Sequence, residues 1–173
     1  MLIGEKVLLR ARRESDVAVL HEELYEDVAM RTRTDGRPWR PLPVEASPFR
    51  PTGAEEPAVF SAVERAGGEL AGAAVLWGVN THHRSAHLGM SLRPAVRGRG
   101  LGTDVVRVLC RYGFEVRGLH RLQVDTLADN TAMIGAAERA GFRVEGTMRG
   151  AAWVSGRFVD EVVLGLLAED WAP

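Results

Sequence analysis

The residues best suited to chemistry sit in one short run, Arg97-Gly98-Arg99-Gly100-Leu101-Gly102-Thr103. A helix start leaves backbone N–H groups without partners, and alternating glycines let a phosphate come close enough to use them. Arg93, Arg97 and Arg99 add positive charge along the same stretch, so the chemistry on offer is recognition of a polyanion such as a pyrophosphate. The same run also reads as an ordinary tight strand-to-helix turn. Competing motifs fail on residue type. The dinucleotide fingerprint needs glycine where Thr103 stands and a first strand before it. A Walker A loop needs a lysine after its last glycine, and a Schiff-base enzyme needs one in its pocket; of 22 basic residues only Lys6 is a lysine. The serine-hydrolase elbow is approached at Gly89-Met90-Ser91-Leu92, but Arg93 stands at its fifth position. No metal is expected: His21-Glu22-Glu23-Leu24-Tyr25 lacks a second histidine, and His82, His83 and His87 have no regular ligand spacing.

The elements that must position this loop follow from periodicity. Lys6 to Ala11 reads as a strand, and Glu14-Ser15-Asp16 supplies caps for a helix through Val17, Leu20 and Leu24. From Ala58 to Leu92 the pattern is a meander of three antiparallel strands, turning at Gly67-Gly68 and across Asn80 to Ser85. The glycine run then leads into a helix in which Leu101, Val105, Val108, Leu109, Tyr112 and Val116 recur at helical spacing, and Gly118 ends it. RLQVDTLA reads as a strand, Asp129 or Asn130 caps a second helix that stops at Gly141, and a hairpin turning at Ser155-Gly156 closes the pattern. The fold class is α+β (mixed α/β): a three-layer sandwich of about six or seven mostly antiparallel strands with helices on both faces.

Composition sets the outer limits. With 173 residues, 46% hydrophobic, 26% charged and a net charge of -1, the chain reads as one soluble domain spanning 1–173. The balanced charge argues against nucleic acid as a partner, so any anion must be held locally. Cys110 is the one cysteine, which permits no intramolecular disulfide and points to a reducing, cytoplasmic compartment. The first residues carry no uninterrupted apolar run of signal-peptide length, and the weakly polar run from Ala71 to Val79 is too short to span a bilayer. Six of the eight prolines fall between Pro38 and Pro57, inside a segment, 34–57, that reads either as a disordered insertion or as a functional loop. Trp39 and Phe49 favour the second reading, since solvated loops seldom carry such side chains.

From Leu88 to Phe142 the chain shows a G-x-S-L-R-P strand end, the R-G-R-G-L-G-T loop, a helix, an RLQVDT strand and an N-T-A-M-I-x-A-A-E-R-x-G-F helix. This order resembles the GNAT superfamily of acyl-CoA N-acyltransferases. EGTMR, Gly156 and Asp160 extend the likeness toward the ribosomal-protein alanine N-acetyltransferase branch. The resemblance implies acetyl-CoA as co-substrate, with its site in 87–142 and an acceptor-side segment at 34–57. Arg97, Gly98, Gly100 and Gly102 would hold the coenzyme A pyrophosphate, with Arg99, Leu101 and Thr103 adding contacts. The exposed edge at Ser91 and Leu92 would pair with the pantetheine arm, and a backbone N–H at Leu92 would polarise the thioester carbonyl. Asn130 matches a position that meets the cofactor in relatives and equally reads as a plain N-cap; Met133, in the next turn, joins the same cofactor-side set. A homodimer is implied by resemblance alone.

The implied reaction is direct attack of a neutral amine on the thioester, which needs a proton acceptor and a donor for the departing thiolate. His87 stands where relatives often carry a glutamate, on the strand face shared with Gly89 and Ser91, and is the expected base; it also reads as a surface histidine at a strand start. Asp125 and Glu161 are weaker candidates, and Asp160 reads equally as a ligand for turn amides. The chain departs from its relatives at the thiolate donor, because Ala137 and Met133 occupy the usual hydroxyl positions. A site without a dedicated general acid is therefore expected, and an acyl-CoA-binding module with little transferase activity is the alternative. The acceptor is a protein N-terminus or a small amine. Trp39 and Phe49, with Trp77 and Trp153 elsewhere, read as walls of an acceptor pocket or as core.

Overall fold

The computed structural model describes residues 1–51 and 57–172, so the stretch 52–56 of the proline-rich segment lies outside the described residues. Eight strands form one mixed sheet in the order β1-β2-β3-β4-β5-β6-β8-β7. They are β1 (Leu2–Ile3), β2 (Val7–Ala11), β3 (Ala58–Glu64), β4 (Leu70–Asn80), β5 (Ser85–Leu92), β6 (Arg121–Leu127), β7 (Arg143–Val154) and β8 (Arg157–Leu167). The helices are α1 (Glu14–Leu20), α2 (Val28–Thr34), α3 (Leu101–Arg111) and α4 (Thr131–Arg139). The expected fold class holds, with a strand count slightly above six or seven. The two-residue β1, paired with β2 at Leu2–Leu9 and Ile3–Leu8, is too short to leave a periodic signal.

On the face covered by α3 and α4, Leu88, Leu122, Val124 and Leu164 from the strands meet Val105, Leu109, Ala136 and Ala137 from the helices in one apolar core. On the other face Leu20, Leu24 and Ala73 form a much smaller cluster, with Met30, Phe49 and Leu70 packed against it. Polar anchors do the rest there. Asp16 accepts from the Arg13 N–H at 2.8 Å, from Arg10 at 2.6 and 2.9 Å, and from Ser61 Oγ at 2.8 Å, tying α1 to β2 and β3. Arg13, rather than a residue of the Glu14-Ser15-Asp16 run, is thus the N-cap, with Asp16 reaching back from the first turn.

α1 continues through a π-helical turn at His21–Tyr25 before α2, whose Asp27 cap accepts from Met30 N–H at 3.0 Å. α2 carries no apolar periodicity and was not legible in the sequence. The described part of the proline-rich segment is fastened rather than loose. Trp39 Nε1 donates to Tyr25 O at 3.0 Å, Tyr25 Oη donates to Arg40 O at 2.8 Å, and Arg12 donates to Phe49 O at 2.9 Å and Phe60 O at 2.7 Å. Among the described residues no helix is long and apolar enough to cross a membrane.

One irregularity in the sheet matters for the site. β5 and β6 are its parallel pair, and they share only three register positions, Ser85–Arg121, Ala86–Leu122 and His87–Gln123. Beyond them β5 stays with β4 as far as Leu92–Gly72, and β6 stays with β8 as far as Leu127–Glu161. Each strand follows its antiparallel partner, and the two diverge into a fork whose base is His87.

Candidate active site

The open edge of the fork belongs to alternate residues of β5. Arg93 N–H donates to Ala71 O at 2.9 Å, so two-residue alternation turns the backbone of Ser91 toward β4 and that of Met90 and Leu92 toward the fork. The expected edge residues thus separate: the N–H of Leu92 faces the gap, and Met90 rather than Ser91 is its companion. The carbonyl of Leu92 accepts from Arg97 Nε at 3.1 Å and Nη2 at 2.9 Å.

The glycine run lies between a 3-10 turn at Pro94–Val96 and the start of α3. Gly98 and Gly100 both hold left-handed backbone, at φ 77° and 76°, which a side chain would strain. Gly100 is the N-cap of α3, and no side chain caps the first turn, so its N–H groups remain available to an anion. Leu101 is buried in the core and offers the loop its backbone alone.

The charges differ from the sequence-based expectation. Arg93 is engaged by Glu23 at 2.5 Å and by Glu69 at 3.4 Å, and Arg99 by Glu64 at 3.1 Å, so two of the three loop arginines already have carboxylate partners. Two other cations come in from a distance. Asp104, in the first turn of α3, accepts the N–H groups of Lys6 and Val7 at 2.7 and 2.8 Å, which pins the start of β2 beside the loop and sets Lys6 Nζ 3.3 Å from Arg99 O. Arg139 Nε donates to Thr103 Oγ1 at 3.2 Å. No local pattern could have revealed either.

At the base of the fork, His87 Nδ1 lies 2.8 Å from Asp125 Oδ2, and the Trp77 ring packs beside the imidazole at a centroid distance of 5.2 Å. The hydrogen bond from His87 is the main cause that holds the Asp125 carboxyl below its ordinary range; burial opposes it, and Gln123 adds a second bond. Glu161, on β8, is pushed up by burial and by the Asp125 charge. Asp125, ranked low from sequence, is therefore the direct partner of His87. The missing signal was register, because positions 87 and 125 become neighbours only through the parallel pairing of β5 and β6.

Residues 6–143 match the Acetyltransferase (GNAT) domain family. The chain belongs to this family. Among curated relatives it is similar to the spermidine N(1)-acetyltransferase of Escherichia coli K12, with 31% identity over 91 residues, 53% of this chain and 49% of that protein. The chain therefore spans about half the length of that relative. Among solved structures it resembles a GNAT-family acetyltransferase from Bacillus anthracis, with TM-score 0.80, 20% identity and coverage of 97% and 98% of the two chains. It also resembles RimL, a ribosomal L7/L12 alpha-N-protein acetyltransferase in complex with coenzyme A, with TM-score 0.82, 21% identity and coverage of 95% and 96%.

In this GNAT domain the remaining sequence candidates scatter. Asn130 Oδ1 accepts from Met133 N–H at 3.2 Å, which caps α4, and its Nδ2 donates to Thr126 Oγ1 of β6 at 3.0 Å. Met133 is buried in the main core. Trp39 is pinned to Tyr25, Phe49 packs on Leu20 and Leu24, and Trp153 pairs edge-on with Phe158 in the terminal hairpin, 60% exposed. Each of these three rings packs against its own neighbours, and Trp77 is the tryptophan that packs beside His87. Asp160 Oδ1 accepts from the N–H of Gly150 at 2.8 Å, in the irregular stretch of β7 between Met148 and Ala152 rather than at the hairpin turn. Tyr112 packs edge-on against Phe60, as its helical spacing suggested. Among the described residues no group of three His, Cys, Asp or Glu side chains is arranged to hold a metal ion.

Proposed function

We propose that this chain, as one GNAT-like domain, transfers an acetyl group from acetyl-CoA to a primary amine in a ternary complex. The observation that carries the reading is the fork between β5 and β6, open beside the uncapped start of α3 in a chain of the GNAT family. Arg97 and the N–H groups around Gly98, Gly100 and Gly102 would receive the pyrophosphate, joined by Lys6 and Arg139. Leu92 N–H is suited to polarise the thioester carbonyl, and His87 to take the amine proton. The amine lone pair forms the new N–C bond as the C–S bond breaks; the amine proton passes to His87 Nε2, and the thiolate takes a proton from water. Water is assigned that role because Met133 and Ala137 are buried and carry no hydroxyl.

The acceptor class is a small polyamine or a protein N-terminus, the two substrates named for the relatives above. Trp77, which packs beside His87, and Glu161, whose carboxyl feels the Asp125 charge, are the groups assigned to receive such an amine. The reading also includes a cytoplasmic location and a homodimer. Its test is release of free thiol from acetyl-CoA with a panel containing spermidine, phenethylamine and an alanine-N-terminal peptide. Cys110 adds no background to a thiol reagent, because it is buried and burial pushes its thiol up. We expect turnover of one amine class, with His87→Ala lowering kcat by about 100-fold and leaving acetyl-CoA affinity within about twofold. Tight acetyl-CoA binding with no turnover of any amine would instead make the protein an acyl-CoA-binding module.

A further inference from the structure

The sheet face that carries His87 also carries an unbroken line of side-chain hydrogen bonds running away from it. Asp125 Oδ1 accepts from Gln123 Nε2 at 2.9 Å, and Gln123 Oε1 accepts from Arg121 Nη2 at 3.3 Å. Arg121 is gripped in turn by Glu145 of β7, with Nη1 to Oε1 at 2.7 Å and a second bond from Nη2 to Oε2. Residues 121, 123 and 125 share one face of β6 by simple alternation. Between β6 and β7 lies β8, and there the chain places Gly165; a Cβ at that position would fall onto Glu145 Oε1 and Arg121 Nη1. The glycine opens the space through which the ion pair closes over the strand.

The line is directional. A guanidinium only donates, so Gln123 must turn its carbonyl to Arg121 and its amide N–H to Asp125. One oxygen of Asp125 is thereby occupied, and the other is left to accept from His87 Nδ1. Among the described residues His87 has no second hydrogen-bond partner, and β4 offers it only the neutral Trp77 ring. The charged groups around the pair are Asp125 on β6, Glu161 on β8, and Arg121 with Glu145 farther along.

We propose that Asp125 is a positioning residue, fixed by Gln123, Arg121 and Glu145, that holds neutral His87 in its Nδ1–H form and leaves the Nε2 lone pair to take the amine proton. The ring geometry stands by itself, while its catalytic consequence rests on the acetyltransferase reading above. Asp125→Asn gives a specific consequence. With Gln123 still donating, the asparagine must keep its carbonyl toward Gln123 and present its NH2 to His87 Nδ1, forcing the imidazole into the Nε2–H form.

The experiment is long-range proton–nitrogen correlation spectroscopy on the full chain labelled with 15N-histidine, with kinetics on the same samples. The wild type should show His87 as the Nδ1–H tautomer, Asp125→Asn should convert it to Nε2–H, and adding Gln123→Leu should restore part of the Nδ1–H population by letting the amide turn over. Asp125→Asn should lower kcat about 100-fold with the acetyl-CoA KM within about twofold, and should cost little more in a His87→Ala background. A wild-type ring in the Nε2–H form overturns the proposal, as does an Asp125→Asn variant with unchanged tautomer and kcat. If the tautomers behave as stated but no amine is acetylated, the transferase reading fails and the positioning of His87 stands.

Discussion

The two faces of the sheet are held by different forces. The face under α3 and α4 closes on interlocking aliphatic side chains, Val105, Leu109, Leu88, Leu122 and Leu164, and the loop it supports leaves the first turn of α3 without a side-chain cap. The face under α1 and α2 closes on a smaller apolar cluster, Leu20, Leu24 and Ala73, and its attachment also relies on Asp16 with Arg10 and Ser61, and on Arg93 with Glu23. Hydrophobic burial is indifferent to pH and to exact angles, which suits a platform that presents backbone N–H groups at fixed positions. Charge-assisted bonds are directional and titratable, and the same face carries the His87–Asp125 hydrogen bond on which the proposed reaction would depend.

The contrast can be broken or sharpened by three substitutions. Leu109→Ala, deep in the α3 core, should cost about 2–5 kcal/mol in urea unfolding, and the loss should be the same at pH 7 and pH 4. A marked pH dependence would contradict the division between the faces. Asp16→Ala should cost about 3 kcal/mol at pH 7, because Arg10 is left without its partner. Here pH does matter. Burial raises the Asp16 carboxyl, but Arg10, the Arg13 N–H and Ser61 together hold it down at about 2, against an ordinary value of 3.8. A depressed carboxyl stabilises the fold fully above its unfolded value and loses that contribution as pH falls through the folded one. About 2 kcal/mol of the Asp16→Ala defect should therefore fade between pH 5 and pH 2, on the order of 1.4 kcal/mol per pKa unit. A defect of constant size would show that Asp16 acts by packing alone. The smallest effect is expected at the rim. Arg97 touches Leu92 O on one side and Met30 Sδ of α2 on the other. Arg97→Ala should weaken acetyl-CoA binding about 10-fold by calorimetry, or about 1.4 kcal/mol, with stability within about 0.5 kcal/mol of wild type. Unchanged binding would transfer the anion role to Lys6 and Arg139.

Much of the fold was written locally. Strand alternation, the helical spacing from Leu101 to Val116, which α3 and a π-helical turn at Tyr112–Val116 share, Gly118 and Gly141 at helix ends and the Ser155-Gly156 turn all act within a few residues of themselves, so their consequences can be read one window at a time. The same holds for the glycine run, since a left-handed N-cap at Gly100 and an uncapped helix start are properties of seven consecutive residues. α2 escaped because tertiary contact, not apolar periodicity, stabilises it, while the Asn130 side chain takes the N-cap role that was one of its two readings.

What the linear chain determined by itself is therefore the strand–loop–helix unit with its backbone chemistry, and the residue types available to a site. Which side chains act together was decided by tertiary structure alone. His87 meets Asp125 because parallel strands 38 residues apart in sequence set them side by side. Lys6 reaches the loop because Asp104, 98 residues away, captures its backbone. The physical reason is one of range: backbone conformation is governed by near neighbours, whereas a hydrogen bond between side chains depends on register across the sheet, which is fixed only when the whole sheet closes.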